Sequence, residues 1–240
     1  MRLVLFDIDG TLLLSGGAGT RSLYRAFQIR YGIEPDWTAI RFDGKTDPLI
    51  IQEIVSKYGV DDEPGQDLYD IYLSILPDEV RRSPGFQVLA GARELVIRLS
   101  ADPGFLIGLA TGNVETGARL KLERAGLSSY FPFGGYGSDS GDRTELIRAA
   151  IRRGSELAAP LSVDQVFVIG DTPRDVRHGR AAGATTIAVA TGNYGLDELK
   201  DCGPDLAVAG LRPMGPILEF MESGSRTGRE AAVADGGPGP

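Results

Sequence analysis

Cysteine and histidine are almost absent from this chain of 240 residues, since each occurs only once. The single Cys202 excludes an intramolecular disulfide and a cysteine-based zinc site, and it is typical of a protein of the reducing cytoplasm. The single His178 lies in a stretch that we expect to be exposed, so we assign it to the surface and not to a catalytic base. Neither residue predicts a reactive site.

Long hydrophobic runs and clusters of positive charge are also missing. No run approaches the length of a membrane span, and the apolar residues after Met1 and Arg2 stop at Asp7, too early for a signal peptide. The 25 Lys and Arg residues against 33 Asp and Glu residues give a formal net charge of −8. Nucleic acid and anionic membranes are therefore excluded as main partners, and we expect a cytoplasmic protein.

The first strong pattern is an apolar run over residues 3–6 that ends in two closely spaced acids. The run predicts a buried strand that places Asp7 and Asp9 at its C-terminal end, and Gly10 lets the backbone approach a ligand closely. Two carboxylates at this spacing repel each other unless a cation lies between them. A hard divalent ion completed by water and phosphate oxygens is the usual Mg²⁺ arrangement, so the pair predicts a Mg²⁺ site.

Other interpretations of this acidic turn are a plain strand followed by a tight turn, and a calcium loop. The calcium loop requires glycine at the sixth position and glutamate at the twelfth from Asp7, where this chain has Leu12 and Ala18. Beside a divalent cation and a phosphate, Asp7 can act as a nucleophile and form an aspartyl-phosphate. Asp9 can then protonate the leaving oxygen and later activate water.

The remaining pattern divides the chain into a helical block and an alternating block. Residues 20–82 show helical periodicity, after a small flexible segment at 15–19 and before a break at 83–85. Helices and strands then alternate, which predicts an α/β protein with a doubly wound parallel sheet. The predicted strands after the first cover 105–110, 130–136, 166–169 and 185–190, and the predicted helices cover 91–99, 114–125, 143–153, 175–182 and 216–221.

Two further strands end in polar residues that suit a phosphate site. Thr111, Gly112 and Asn113 follow the strand at 105–110, where a hydroxyl and free backbone N–H groups before a helix can hold a phosphate oxygen. Asp171 and Asp175 follow the strand at 166–169 and add carboxylates to the same cation. Thr191 begins a second Thr-Gly-Asn sequence, which we assign to turn chemistry.

The stretch Phe6–Leu12 resembles the first signature of the haloacid dehalogenase-like hydrolase superfamily, most of whose members are Mg²⁺-dependent phosphatases. The threonine turn after the second strand is similar to the second motif of the superfamily, and the later acidic pair is similar to its fourth motif. The helical block resembles its small cap, which is inserted after the first motif. The resemblance covers about residues 1–220 and implies a Rossmann-like core.

The resemblance implies a role for each matching residue. Asp7 is then the nucleophile and Asp9 the general acid/base, with Thr111 as a phosphate ligand. Two sets complete the site. The metal ligands are Asp7, Asp9 through its backbone carbonyl, Asp171 and Asp175, and the substrate-binding residues are Gly10, Thr11, Gly112, Asn113 and Lys45. Lys45 opens a cap helix, where it is either a cation that closes over a substrate anion or a solvated helix-end lysine.

The third motif of the superfamily, normally a lysine, is missing from its usual place. Only Lys121 lies between the second and fourth motifs, and it belongs to the helix that directly follows the second. Arg143 stands where the lysine is expected and is the predicted substitute, although its guanidinium has a different reach. The alternative is a surface arginine paired with Glu145 or Asp142.

These observations predict a core domain formed by residues 1–15 and 86–221, a helical cap formed by 16–85, and a disordered tail at 222–240. They predict a Mg²⁺-dependent phosphatase acting on a small phosphate ester, of the capped branch that resembles phosphoglycolate phosphatase and β-phosphoglucomutase. A phosphomutase of the latter type and a non-catalytic phosphate- or partner-binding relative remain as alternatives. We expect a monomer or homodimer.

Overall fold

The computed structural model describes residues 1–36, 40–60 and 66–223. The strands within these residues are β1 (Arg2–Phe6), β2 (Leu13–Ser15), β3 (Phe86–Val88), β4 (Phe105–Ala110), β5 (Gly134–Gly135), β6 (Gln165–Gly170), β7 (Thr185–Val189) and β8 (Leu206–Val208). The helices are α1 (Ala18–Tyr31), α2 (Asp47–Tyr58), α3 (Gln66–Arg82), α4 (Ala92–Ser100), α5 (Glu115–Ala125), α6 (Arg143–Ala158), α7 (Pro173–Ala181), α8 (Leu196–Asp201) and α9 (Gly215–Ser223).

Six parallel strands form the main sheet in the order β5-β4-β1-β6-β7-β8. Strand β1 is central, with β4 and β5 on one side and β6, β7 and β8 on the other. This arrangement confirms the predicted α/β fold with its parallel sheet. Leu3 pairs with Leu106 of β4 and with Val166 of β6, so the three strands are aligned in register along their length. Their carboxyl ends therefore meet at one edge, where open α/β sheets bind ligands.

Both faces of the sheet are covered, because side chains of β1 alternate between two apolar clusters. Val4 and Phe6 belong to a cluster that includes residues of α4, α5 and α9, while Leu3 and Leu5 belong to a cluster that includes residues of α6. All four side chains are fully buried. A strand buried on both faces has little polar alternation, which explains why the sequence shows a continuous apolar run here.

The helices α1, α2 and α3 form the insertion that follows the first strand, as predicted. Their apolar faces meet in a separate cluster that includes Phe27, Ile51 and Tyr72, with Val114 joining it from the core. The antiparallel strands β2 and β3 carry the chain into and out of this insertion. The predicted domain boundaries at residues 15 and 86 fall at this two-stranded ribbon, and the division into two domains remains a prediction. Below, the insertion is called the cap.

Several short elements differ from the prediction. The strand predicted at 130–136 is reduced to β5, because Ser128–Tyr130 form a 3-10 turn and Pro132 has no N–H for the sheet. Strands β2, β3 and β8 and the helix α8 were not predicted, since three to six residues are too few to show a period. Helix α9 runs two residues into the predicted disordered tail, and the rest of that segment lies outside the described residues.

Among the described helices, none combines the length and the apolar character needed to cross a bilayer.

Removing a buried leucine from α4 should destabilise the fold far more than removing an exposed one from α6. Leu95 of α4 is fully buried against the sheet, whereas Leu157 of α6 is 53 % exposed. We expect Leu95→Ala to lower the free energy of unfolding by about 2–5 kcal/mol. The matched control Leu157→Ala should stay within about 0.5 kcal/mol of wild type. Urea denaturation followed by circular dichroism measures both, and equal losses would contradict this core.

Candidate active site

The loop after β1 folds back on itself and presents Asp7 at the edge of the sheet. The Asp7 N–H donates to Ile169 of β6, and the backbone N–H groups of Leu12 and Leu13 both donate to the Ile8 carbonyl. Gly10 adopts a left-handed φ of 81°, and a Cβ atom there would overlap the carboxylate of Asp171. Only glycine therefore lets the first acidic loop lie directly against the acid that follows β6.

Asp7, Asp171 and Asp175 form a buried cluster, with one carboxylate oxygen from each lying within 4.8 Å of the others. Burial raises the pKa of Asp7 to about 6. Repulsion from Asp175 and Asp9 raises this pKa further, whereas the positive charge of Arg143 lowers it. Burial, together with repulsion from Asp175 and Asp7, also raises the pKa of Asp171 well above its usual range. Three carboxylate groups concentrated in this way fit a hard divalent cation.

Arg143 is the cation that this cluster already contains. Its Nη2 lies 2.9 Å from Asp7 Oδ2 and 2.5 Å from Asp175 Oδ1, and its side chain is only 4 % exposed. These neighbouring acids raise the pKa of Arg143, although its burial acts in the other direction. The surface pairing considered from the sequence is not formed, because Glu145 pairs with Arg148.

Asp9 points to a different set of partners. Its Oδ2 accepts a hydrogen bond of 2.9 Å from Asn113 Nδ2 and one of 2.6 Å from Lys121 Nζ. Its side chain is 38 % exposed, and its carboxylate is not part of the buried cluster. Partial burial would raise the pKa of Asp9, but the charge and hydrogen bond of Lys121 and the amide of Asn113 outweigh it and lower the pKa.

Lys121 is the functional residue that the sequence interpretation missed. Its side chain is 4 % exposed, and its ammonium group also donates a hydrogen bond of 2.6 Å to Asn113 Oδ1. A signal was present, because Lys121 lies on the same helical face as the buried residues Ala118, Leu122 and Ala125. A buried lysine on the apolar face of a helix requires a partner for its charge, and that partner is Asp9.

Two threonine residues lie behind the cavity wall and support it from there. Thr111 is fully buried, and its Oγ1 accepts hydrogen bonds from the side chain and backbone of Asn113 at 2.8 and 3.3 Å. Thr11 Oγ1 donates to Asp171 Oδ1 at 3.0 Å. Asp175 also lies behind the wall, where its Oδ2 accepts hydrogen bonds from the N–H and Oγ1 of Thr172 at the start of α7. Their predicted contacts with phosphate or metal remain predictions.

The second Thr-Gly-Asn sequence does more than form a turn, which corrects our interpretation of Thr191. Thr191 Oγ1 donates a hydrogen bond of 2.5 Å to the carbonyl of Gly10, and Gly192 packs so closely on Asp171 that a Cβ atom would overlap it. Asn193 Nδ2 donates to Asp43 of the cap at 2.6 Å. His178 lies outside this site, 2.8 Å from Thr144, and is part-buried between α6 and α7 rather than on the open surface.

A cavity of about 400 Å³ lies between the acidic loops and the cap. The core side of its wall includes Asp7, Asp9, Gly10, Gly112, Asn113, Lys121, Arg143 and Asp171. The cap side includes Lys45, which lies just before α2 and whose ammonium group pairs with Glu53 of that helix. Gly10, Gly112, Asn113 and Lys45, all predicted to bind substrate, therefore face one space, whereas Thr11 lies behind it.

The cap segment before α2 is docked on the core. The backbone N–H of Asp47 donates to the Gly112 carbonyl at 2.8 Å, and Asp47 Oδ2 accepts from the Val114 N–H at 3.0 Å. A Cβ atom at Gly112 would overlap the Lys45 carbonyl, so the threonine turn and the cap touch through backbone. This contact closes one side of the cavity.

The same segment is also held from α6. Thr46 Oγ1 donates to the Gly141 carbonyl at 3.0 Å, and Arg143 Nη1 donates to the Gly44 carbonyl at 3.2 Å. Arg143 therefore contacts the predicted nucleophile with one nitrogen and the cap with the other. A lysine ammonium, a single point charge, lacks this forked reach.

Comparison with known proteins agrees with this geometry. Over 97 % of both chains, the sequence is 27 % identical to a phosphoglycolate phosphatase of Rhodospirillum rubrum. The fold superposes on a predicted phosphatase of Clostridium acetobutylicum with a TM-score of 0.69 and 25 % identity, covering 91 % of this chain and 98 % of the other. It superposes on CbbY of Rhodobacter sphaeroides, crystallised with phosphate, with a TM-score of 0.70 and 16 % identity, covering 89 % and 96 %.

The family model of the haloacid dehalogenase-like hydrolases matches residues 4–189, more than half of the chain, and spans the cap and all the acidic loops described above. This protein belongs to the haloacid dehalogenase-like hydrolase family.

Proposed function

We propose that this hydrolase is a Mg²⁺-dependent phosphatase that cleaves a small, phosphoglycolate-like phosphate monoester through an aspartyl-phosphate intermediate on Asp7. The observation that carries the proposal is the position of the Asp7 carboxylate. It lies on the cavity wall, in a buried cluster of acids, and beside a buried guanidinium group. The curated relative from Rhodospirillum rubrum supports a small phosphate ester as the substrate.

In the first step, an Asp7 carboxylate oxygen attacks phosphorus while the bond from phosphorus to the leaving oxygen breaks. Asp7, Asp171 and Asp175 would hold Mg²⁺, with the Asp9 carbonyl as the further predicted ligand, and the ion would offset the charge that keeps two anions apart. Arg143 neutralises the transferring phosphoryl group, and its buried Nε has no hydrogen-bond partner among the described residues. The permanent charge of Arg143 would stabilise the phosphoryl oxygens during the transfer.

Asp9 handles the proton in both steps. It donates a proton to the leaving oxygen, and then accepts one from the water that attacks the phosphorus of the aspartyl-phosphate, releasing phosphate and restoring Asp7. Lys121 and Asn113 favour the Asp9 carboxylate in the resting enzyme, which is the form required for the second step. A phosphate dianion beside it favours the protonated form, which is required for the first step. Lys121 fixes the direction of this carboxylate.

Product analysis separates this proposal from the two alternatives. Free phosphate indicates a phosphatase, an isomeric phosphate ester indicates a phosphomutase, and neither product indicates a binding protein. Solved structures named β-phosphoglucomutase share the fold at 24 % identity or less, which says nothing about the reaction. Oligomeric state, predicted as monomer or homodimer, stays a prediction.

Replacing the nucleophile should abolish turnover. Asp7→Asn keeps the shape of the side chain but removes its nucleophilic oxygen charge, so we expect phosphate release to fall by about 10³-fold or more. The measurement is phosphate release from p-nitrophenyl phosphate and a panel of small esters, with and without Mg²⁺. The control Asp197→Asn, at a side chain that is 94 % exposed, should match wild type. Activity retained in Asp7→Asn would refute the assignment.

Replacing the acid/base should block the second step more than the first. With p-nitrophenyl phosphate, whose leaving group departs without a proton, Asp9→Asn should release about one equivalent of p-nitrophenol per chain and then stall. Steady-state turnover should fall by about 10²–10⁴-fold. Rapid-mixing absorbance and intact mass of the quenched protein detect the trapped phosphoryl group. A uniform slow release without a burst would place Asp9 outside the second step.

Mg²⁺ should stabilise the folded protein, because it neutralises buried carboxylates that repel one another. At about 100 times its Kd, a ligand specific for the folded state adds about 2.7 kcal/mol, which corresponds to a rise in Tm of about 5–10 °C for a chain of this size. Asp171→Asn should lose this rise, while its Tm without Mg²⁺ should equal or exceed that of wild type. Differential scanning fluorimetry at constant ionic strength tests this. If Mg²⁺ still raised the Tm of Asp171→Asn, the acidic cluster would be excluded as the Mg²⁺ site.

A further inference from the structure

The end of the cavity formed by the cap has its own polar groups. Asp47, at the start of α2, and Tyr72, from α3, both face it, and both are at least nine-tenths buried. The Asp47 carboxylate accepts a hydrogen bond from the Val114 N–H, and burial together with the charge of Asp47 raises the pKa of Tyr72, so its hydroxyl stays neutral. Leu23 and Ile50 supply apolar surface beside them. None of these residues takes part in the steps described above.

Every basic residue on the described cavity wall already has an acidic partner. Lys45 pairs with Glu53, Lys121 pairs with Asp9, and Arg143 bridges two acids of the buried cluster. Five aspartate residues and three basic residues line the cavity, a formal excess of two negative charges when every aspartate is ionised. A divalent cation offsets this excess, and a bound phosphoryl group restores it. A second anionic group on the substrate would therefore meet no unpaired cation on this wall.

The N-terminus of α1 also faces this space at Gly17 and Gly19. A helix end offers roughly half an elementary charge, less than the full negative charge of an ionised Asp47 carboxylate. The free N–H groups of this helix end can donate a hydrogen bond to the oxygen of a neutral hydroxyl, just as they can to a carboxylate oxygen. An ionised carboxylate has about four acceptor positions, so the hydrogen bond from the Val114 N–H to Asp47 leaves room for a hydroxyl donor.

Resting on the phosphatase function proposed above, we propose that Asp47 selects phosphate esters whose leaving group is uncharged and carries a hydroxyl group, and that it disfavours leaving groups that carry a carboxylate. The Asp47 carboxylate accepts the substrate hydroxyl and repels a substrate carboxylate. This keeps the small size of a phosphoglycolate-like ester but changes the group at its far end from an acid to an alcohol.

Matched substrate pairs test the selection on the wild-type enzyme with Mg²⁺. The pairs are 2-hydroxyethyl phosphate with phosphoglycolate, and glycerol 1-phosphate with 3-phosphoglycerate, which differ only in a hydroxymethyl group against a carboxylate. We expect kcat/KM to favour the alcohol in each pair by about 10-fold or more, the scale of an extra hydrogen bond. Equal values, or a preference for the acids, would overturn the proposal while leaving the phosphatase function intact.

The variant Asp47→Asn tests the residue itself. Asparagine keeps an acceptor for the Val114 N–H but carries no charge, so the ratio of kcat/KM within each pair should move toward the acid by about 10-fold. The control Asp197→Asn should keep the wild-type ratio, and circular dichroism with p-nitrophenyl phosphate turnover shows whether Asp47→Asn is folded. An unchanged ratio in folded Asp47→Asn would overturn the role of Asp47.

If Asp47→Asn does not fold, the wild-type pairs still decide the substrate class, and Asp47→Glu, which keeps the charge, should retain the preference for alcohols. A reversed preference in Asp47→Glu would overturn the role of Asp47. If wild type releases phosphate from none of the esters, including p-nitrophenyl phosphate, the phosphatase function falls and this proposal falls with it.

Discussion

The arrangement of the site depends on keeping several negative charges in one buried place. Asp7, Asp171 and Asp175 are brought together because β1 and β6 are neighbouring parallel strands whose carboxyl ends coincide. Burying carboxylates in this way is unfavourable unless cations and N–H groups compensate them. Arg143 supplies one such compensation inside the cluster, and the capping contacts of Asp175 with α7 supply another. The remaining negative charge makes the cluster suited to a divalent cation.

The same charge balance links the core to the cap. Arg143 reaches from the acids to the carbonyl of Gly44. Lys121 is hydrogen-bonded to Asp9 of the core, and its charge also acts against the rise in pKa that burial causes at Asp47 of the cap. Groups that take part in the proposed chemistry thus help to join cap and core, beside contacts such as that of Thr46 with the Gly141 carbonyl. Any movement of the cap segment at Gly44 changes the surroundings of the predicted nucleophile.

The parts of this structure that follow from local patterns could be predicted, and the parts that follow from packing could not. Strand ends and turn residues placed Asp7 and Asp171 at one edge of the sheet, because periodicity and glycine report directly on backbone geometry. Lys121 received no role because it lies in the helix after the second motif; the helix pattern indicates that it is buried, but not that its partner is Asp9, 112 residues away. The hydrogen bond from Thr191 to Gly10 was missed for the same reason.

The ribbon of β2 and β3 has a consequence for how the protein can change over evolution. Because the two strands pair from Leu13 with Val88 to Ser15 with Phe86, the chain leaves the core and returns to it at neighbouring points. The whole cap is therefore an insertion whose two ends are held side by side by this ribbon. The entropic cost of closing such a loop grows only slowly with loop length. Helices can therefore be added to or lost from the cap without moving the catalytic strand ends, so new specificities can arise while the reaction chemistry stays in place.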